Sequence, residues 1–254
     1  MHPTPYLTVN QILADLLTGV RQALGENFVA LYLYGSLALG GFKPGRSDID
    51  FLAVTAREVD PDELARLRDV HRRIYAGPSP WARELEGSYI SAAALRRYNP
   101  ARAVHPHIDR GGSELRIEKH DTDWVVQRWV TREHGVRLAG PPPAALIDPI
   151  PPQSLRAAVR ELFFFWWAPM GADPARLRET AYQVYAVLTM PRILYTFASG
   201  AVVSKPAAAA WALQTLPPRW SALLSAAQDW EAGRPFEHLE ETRELIRYTA
   251  LQAG

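Results

Sequence analysis

The segment Leu33 to Val54, LYGSLALGGFKPGRSDIDFLAV, constrains this chain more than any other, because it sets an apolar run, a Gly-Ser turn, a polar loop and two alternating carboxylates in that order. Residues 28 to 34 (FVALYLY) are β-branched and aromatic enough to predict a buried strand, after which Gly35 gives the backbone freedom to turn. Gly35 and Ser36 can then present a backbone N–H and a hydroxyl to a phosphate. A loop containing Gly40, Gly41, Lys43, Pro44 and Gly45 follows, and the chain re-enters a strand over Ser47 to Val54. Asp48 and Asp50 stand two residues apart in it, so their side chains point to one face. Two carboxylates side by side repel each other unless a cation sits between them. A hard oxygen site with few protein ligands suits Mg²⁺ that shares its shell with a nucleoside triphosphate, the arrangement that metal-assisted phosphoryl transfer requires.

A bare D-x-D is common among solvated strand ends. Here it follows a strand, Gly-Ser and about a dozen residues, and it opens a second apolar strand. That composite resembles the nucleotidyltransferase superfamily related to DNA polymerase β.

The 254 residues, 48% of them hydrophobic, suffice for one large or two modest packed domains. A net charge of +1 from 28 basic and 27 acidic residues gives no overall footprint for a polyanion, so the expected acceptor is a small molecule rather than nucleic acid. With no cysteine there is no disulfide and no Cys-ligated metal. No signal-peptide pattern is seen, and the densest apolar run, Leu162 to Ala168, is too short to span a bilayer. The expectation is a cytoplasmic, membrane-free monomer.

The fold class expected is α+β, a mixed β-sheet with helices followed by an all-α bundle. Ala139 to Gln153 holds six prolines in fifteen residues and reads as an extended connector, which places domains at 1–150 and 151–254. In the first, Thr8 with Gln11 reads as a capping box opening a helix to about Leu24, and Asp60, Pro61 and Glu63 open another to about Tyr75. Glu84 to Ala92 alternates as a third strand, residues 114 to 118 form a fourth, and Thr122 to His134 is a helix. In the second domain helices are expected over about Gln153–Trp167, Pro174–Ser199, Lys205–Leu216, Pro218–Ala232 and Pro235–Leu251.

Transfer to an alcohol goes faster when a base removes the hydroxyl proton as oxygen attacks phosphorus. Glu86, in the third strand, is the candidate, either as base or as a further metal ligand. Glu84 shares its face farther along.

Several distant segments together resemble the aminoglycoside adenylyltransferases that modify streptomycin and spectinomycin: the LYGS turn, GGFKPGRSDID, Leu85-Glu86, REHGVRLAGP (Arg132 to Pro141) and LTMPRILYTFASGAVVSK (Leu188 to Lys205). The resemblance spans most of the chain. It implies a nucleotidyltransferase domain followed by a helical bundle, with ATP and the antibiotic as substrates. It implies that Asp48 and Asp50 hold Mg²⁺, that Glu86 is the base and meets the acceptor, and that Gly35, Ser36 and Ser47 serve the nucleotide. Arg192 and Lys205 would reach phosphate and Trp230 the nucleotide site. The implied reaction moves AMP from ATP to an acceptor hydroxyl and releases pyrophosphate. Rival readings are an adenylyltransferase acting on a protein or another metabolite, and a nucleotide-binding protein without transferase activity.

Two departures bear on the acceptor. The family's streptomycin readers are a tryptophan late in the first domain and an acid in the helix before LTxxRxxY, and here no tryptophan precedes Trp124 in that region while Tyr182 stands where the acid would fall. Glu179, one turn away, is the candidate replacement, and both residues are assigned to the acceptor. A polycation needs matched carboxylates, which favours spectinomycin over streptomycin.

Three other features have plainer readings. His105, His107 and Asp109 (HPHID) put donors on one strand face, but with no fourth ligand in view they read as surface or pocket-rim residues. Phe163 to Trp167 reads as bundle packing, and Arg72-Arg73 and Arg96-Arg97 as solvated charge on helices.

Overall fold

A computed structural model describes residues 2–253 and divides the chain into two compact units, Met1–Pro149 and Ile150–Gly254. The first is a six-stranded mixed sheet with helices. In chain order it contains α1 (Leu7–Leu24), β1 (Phe28–Leu33), α2 (Gly35–Ala38), β2 (Ile49–Thr55), α3 (Pro61–Tyr75), β3 (Leu85–Ser91), α4 (Ala92–Arg96), β4 (Val104–Ile108), β5 (Arg116–Lys119), α5 (Asp123–His134), β6 (Val136–Ala139) and α6 (Pro143–Leu146). The strand order is β5-β4-β3-β2-β1-β6, with β2 and β3 parallel and the other neighbours antiparallel. The α+β expectation is met.

Alternation across β1, β2 and β3 separates the two faces of the sheet. Leu31, Leu33, Ile49, Phe51, Leu85 and Tyr89 join Val9, Ile12, Leu13 and Leu16 of α1 and Leu67 and Val70 of α3 in one apolar core. Asp50 and Glu86 lie between these positions in sequence and so project from the other face. The parallel β2–β3 register pairs Ile49 with Leu85 and Asp50 with Glu86, so the crossover through α3 brings two carboxylates 36 residues apart onto neighbouring strands.

The start of α3 forms as its sequence predicts: Asp60 accepts from Glu63 N–H at 2.9 Å, and the Glu63 carboxylate accepts from Asp60 N–H at 3.0 Å. Such a cap stabilises by about 1 kcal/mol. Buried Glu63 also binds Arg57 and Asn27, which ties the cap to the start of β1 and to the loop after β2. The capping box expected at Thr8 does not form. Helix α1 begins two residues earlier, with Tyr6 at its N-cap and no side-chain cap, and Thr8 Oγ1 instead accepts from Trp81 Nε1 at 2.9 Å.

Other boundaries also differ. The strand expected from Ser47 begins at Ile49, leaving Asp48 just before it, and the Gly-Ser turn is the one-turn helix α2. Strand β4 covers most of the HPHID stretch whose donors share one strand face, strand β6 was not anticipated, and the proline-rich connector holds α6. Arg96 and Arg97 are not merely solvated, since both pair with Asp148 at the end of this unit.

The second unit contains α7 (Pro152–Leu162), α8 (Thr180–Ser199), α9 (Lys205–Thr215), α10 (Ser221–Asp229) and α11 (Leu239–Ala253), with short 3₁₀ turns between them. Phe163–Trp167 forms a π-helical turn after α7 that buries Phe163 and Trp167, while Phe164 and Phe165 remain exposed. Helix α8 is the hub: its buried residues face α9, α10 and α11, and it ends on Gly200 in the left-handed conformation. Gln183 anchors both ends of its surroundings, donating to Leu177 O at 2.9 Å and accepting from His238 N–H at 3.1 Å. Among the described residues no helix is long and apolar enough to cross a membrane.

Candidate active site

The site is built where β1 hands the chain to β2. Tyr34 N–H donates to Asp50 O at 3.1 Å, closing the sheet as the chain turns into α2. The turn requires Gly35: its φ is +57°, and a Cβ there would lie 1.9 Å from Asp50 Oδ2. No other residue lets the backbone pass so near this carboxylate.

Asp48, Asp50 and Glu86 each offer an oxygen, and the three oxygens lie within 4.8 Å of one another. All three residues are half-buried. Burial, reinforced by the negative charge of Asp48 and Asp109 and opposed by Arg110, pushes the Glu86 carboxyl up to about 7. Glu84, two residues earlier, is neutralised by Arg110 at 2.6 Å.

Ser36 Oγ is buried and has no hydrogen-bond partner in the protein. Such a hydroxyl costs about 1–3 kcal/mol, so, one residue after the glycine that passes against Asp50, it fits a ligand oxygen. The trio of hard carboxylate oxygens is a donor set suited to Mg²⁺ that shares its shell with a triphosphate. Ser47 Oγ accepts from Lys43 N–H at 3.0 Å and so closes the polar loop.

Tyr34 reports on a fourth carboxylate. Its buried phenol is held far above the usual range by desolvation and then by Asp50, Glu86, Asp123 and Asp48. Asp123, the first residue of α5, is itself raised to about 6, chiefly by burial and by Asp121. The sequence reading did not single it out. Its only signal was a second D-x-D, Asp121 and Asp123, which there reads as an ordinary acidic helix start.

The second unit holds the remaining candidates. Arg192 Nε donates to Val203 O at 3.1 Å, Lys205 Nζ lies 4.5 Å from the Tyr185 ring centroid, and Trp230 Nε1 donates to Arg234 O at 2.8 Å. Tyr182 accepts from Trp166 Nε1 at 2.8 Å and stacks near Trp167, and Glu179 precedes the first residue of α8. The HPHID residues are not surface histidines. His105 is 2% exposed and stacks on His120, while His107, Asp109 and Glu118 form a second group whose ligand atoms lie within 4.8 Å of one another.

Residues 16–87 match the family model described as nucleotidyltransferase domain, and residues 145–253 match that described as aminoglycoside adenylyltransferase, C-terminal domain. An Escherichia coli protein named aminoglycoside (3'') (9) adenylyltransferase is 27% identical, the alignment covering 94% of this chain and 93% of that protein. A spectinomycin 9-adenylyltransferase of Staphylococcus aureus is 24% identical over 90% of this chain and 89% of its own length. The crystal structure of a spectinomycin adenyltransferase from Enterococcus faecialis, solved with ATP and spectinomycin, shares the fold with a TM-score of 0.71 at 17% identity, covering 96% of this chain and 98% of that one. With its paired strand carboxylates and its glycine turn, the chain carries matches, in sequence order, to a nucleotidyltransferase domain and to the C-terminal domain of aminoglycoside adenylyltransferases, and it is similar over nine-tenths of its length to enzymes of that name.

Proposed function

We propose that the protein transfers AMP from ATP to a hydroxyl of a small aminoglycoside or aminocyclitol, with spectinomycin ahead of streptomycin, and releases pyrophosphate. The observation that carries this reading is the Asp50–Glu86 register on neighbouring parallel strands, with Asp48 completing the group. The names of the relatives supply the acceptor class. Tyr182 and the missing tryptophan supply the preference between antibiotics.

In this reading Asp48 and Asp50 hold Mg²⁺, which when bound neutralises phosphate charge as a Lewis acid. Gly35 N–H, the Ser36 hydroxyl and Ser47 orient the triphosphate. The Glu86 carboxylate takes the acceptor proton as the new oxygen–phosphorus bond forms at the α-phosphorus, and the bond to the β-phosphate oxygen breaks. Arg192 and Lys205 are assigned to phosphate, Trp230 to the base, and Glu179 and Tyr182 to the acceptor. The two units thus act as a transferase domain and a helical domain of a monomer working on a small molecule.

Pyrophosphate release from ATP and Mg²⁺, measured with spectinomycin and streptomycin supplied separately, tests this directly. Release that depends on spectinomycin is expected. Release that is absent with every aminocyclitol, or that appears only with a protein acceptor, overturns the assignment.

Gly35→Ala offers a second check on the site. Left-handed backbone at a residue with a Cβ costs about 1–2 kcal/mol, and the clash moves the Asp50 carboxylate. A displacement near 1 Å lowers rate by about 10²-fold. Steady-state kinetics beside a urea titration should therefore show a far larger loss of kcat than the modest fall in stability implies. A fully active alanine variant would remove Gly35 from the site.

A further inference from the structure

Beyond the catalytic carboxylates, we propose that His107, Asp109 and Glu118 form a second metal site, one for a divalent transition ion such as Zn²⁺, Mn²⁺ or Co²⁺. The antiparallel β4–β5 register pairs His105 with Glu118 and His107 with Arg116. His107 and Asp109, two residues apart, share the face that Glu118 also occupies. One imidazole nitrogen and two carboxylate oxygens meet there within 4.8 Å, and His107 Nε2 already lies 3.3 Å from Asp109 Oδ1. The mixed nitrogen and oxygen donors distinguish this site from the all-oxygen Asp48, Asp50 and Glu86 group. Imidazole favours d-block ions over Mg²⁺ and Ca²⁺.

The side of His107 away from the carboxylates is built as metal-bound histidines usually are, with the other ring nitrogen held. Nδ1 lies 2.7 Å from the hydroxyl of fully buried Ser88, and Ser88 Oγ lies 3.4 Å from His120 Nε2. With its proton on the other ring nitrogen, His120 accepts from the Ser88 hydroxyl at Nε2. Ser88 then accepts from His107 Nδ1–H, which directs the Nε2 lone pair at the two carboxylates.

A cation already serves these carboxylates. The Arg116 guanidinium pairs with Asp109 and lies 3.3 Å from Glu118 Oε1, yet its side chain is 62% exposed. Exposed pairs of this kind contribute about 0–1 kcal/mol, so the arginine can swing into water when a divalent ion enters. Arg116 is therefore a competitor for the site.

Binding of Co²⁺ to the Asp48→Asn/Asp50→Asn double variant, followed by visible absorption and calorimetry, tests the proposal with the first group silenced. One equivalent is expected, with a ligand-field band and no displacement by excess Mg²⁺. His107→Asn and Glu118→Gln in that background should each weaken binding by at least about 10-fold, and Ser88→Ala, which removes only the outer hydrogen bond, by about 10-fold. Arg116→Ala should tighten binding, which a purely structural salt-bridge cluster would not do. Glu118 is on the surface, so its variant reports even where the His107 variant misfolds. No saturable Co²⁺ binding in the double variant, unchanged affinity in Glu118→Gln, or weaker binding in Arg116→Ala overturns the site. Because catalysis is silenced throughout, none of these outcomes bears on the AMP-transfer reading.

Discussion

Asp50→Asn is expected to lower AMP transfer by on the order of 10³-fold or more, since Lewis-acid stabilisation of a phosphoryl transition state is worth several kcal/mol and each tenfold corresponds to about 1.4 kcal/mol. Asn keeps the shape of the side chain, and the backbone bond from Tyr34 N–H to Asp50 O does not involve it. The fold should survive. In protein stripped of metal, the melting temperature should in fact rise, because three carboxylates with oxygens inside 4.8 Å repel one another and the variant removes one of the charges. The stabilisation that added Mg²⁺ gives the parent should disappear at the same time. A structural aspartate would behave in the opposite way, losing stability on substitution and keeping its response to Mg²⁺. Calorimetric melts with and without Mg²⁺, set beside kcat, decide between them, and retained turnover would end the assignment of Asp50 to the metal.

Legibility in the sequence followed the range of the interactions. Asp48 and Asp50 could be read because two residues on one strand share a face whatever else the chain does. Pairing them with Glu86 needed only the guess that the third strand lies beside the second, and the β2–β3 register brings Glu86 directly opposite Asp50. The cap at Asp60 and Glu63 was legible for the same reason, being settled within three residues. Thr8 failed because its hydroxyl is taken by the indole of Trp81, 73 residues away, a competitor that no local window contains.

The strand face of HPHID was legible, but Pro106, which lacks a ladder donor, argues against a strand paired on both sides, as β4 is. Strand β6 is four residues long, too short for its alternation to register. Without the pairing of β4 with β5, the partnership of His107 and Asp109 with Glu118 stayed concealed. Asp123 was invisible for a different reason. An acid at a helix start is ordinary, and only the packing of α5 near α2 and Tyr34 shows that this one is half-buried among other carboxylates.

Glu86→Gln is expected to slow transfer by about 10²–10⁴-fold in kcat, the range for loss of a general base, with little change in ATP affinity. Its pH dependence supplies the sharper test. The Glu86 carboxyl is raised to about 7 by burial and by Asp48 and Asp109, with Arg110 opposing, and a divalent cation beside it lowers that value. The acidic limb of the kcat profile should thus show an apparent pKa no higher than about 7, and Gln should abolish the limb. The sign for stability is opposite to that of a salt-bridged carboxylate. Between the unfolded value near 4.5 and the folded value near 7 the native state holds more protons than the unfolded chain, so this group's contribution is present below pH 4.5 and is lost as pH rises through 7. Metal-free Glu86→Gln, which stays neutral, should gain on the parent in melting temperature as pH climbs across that interval. A constant difference between the two would show that Glu86 ionises as an ordinary surface acid, and an unchanged kcat would dismiss it as the base.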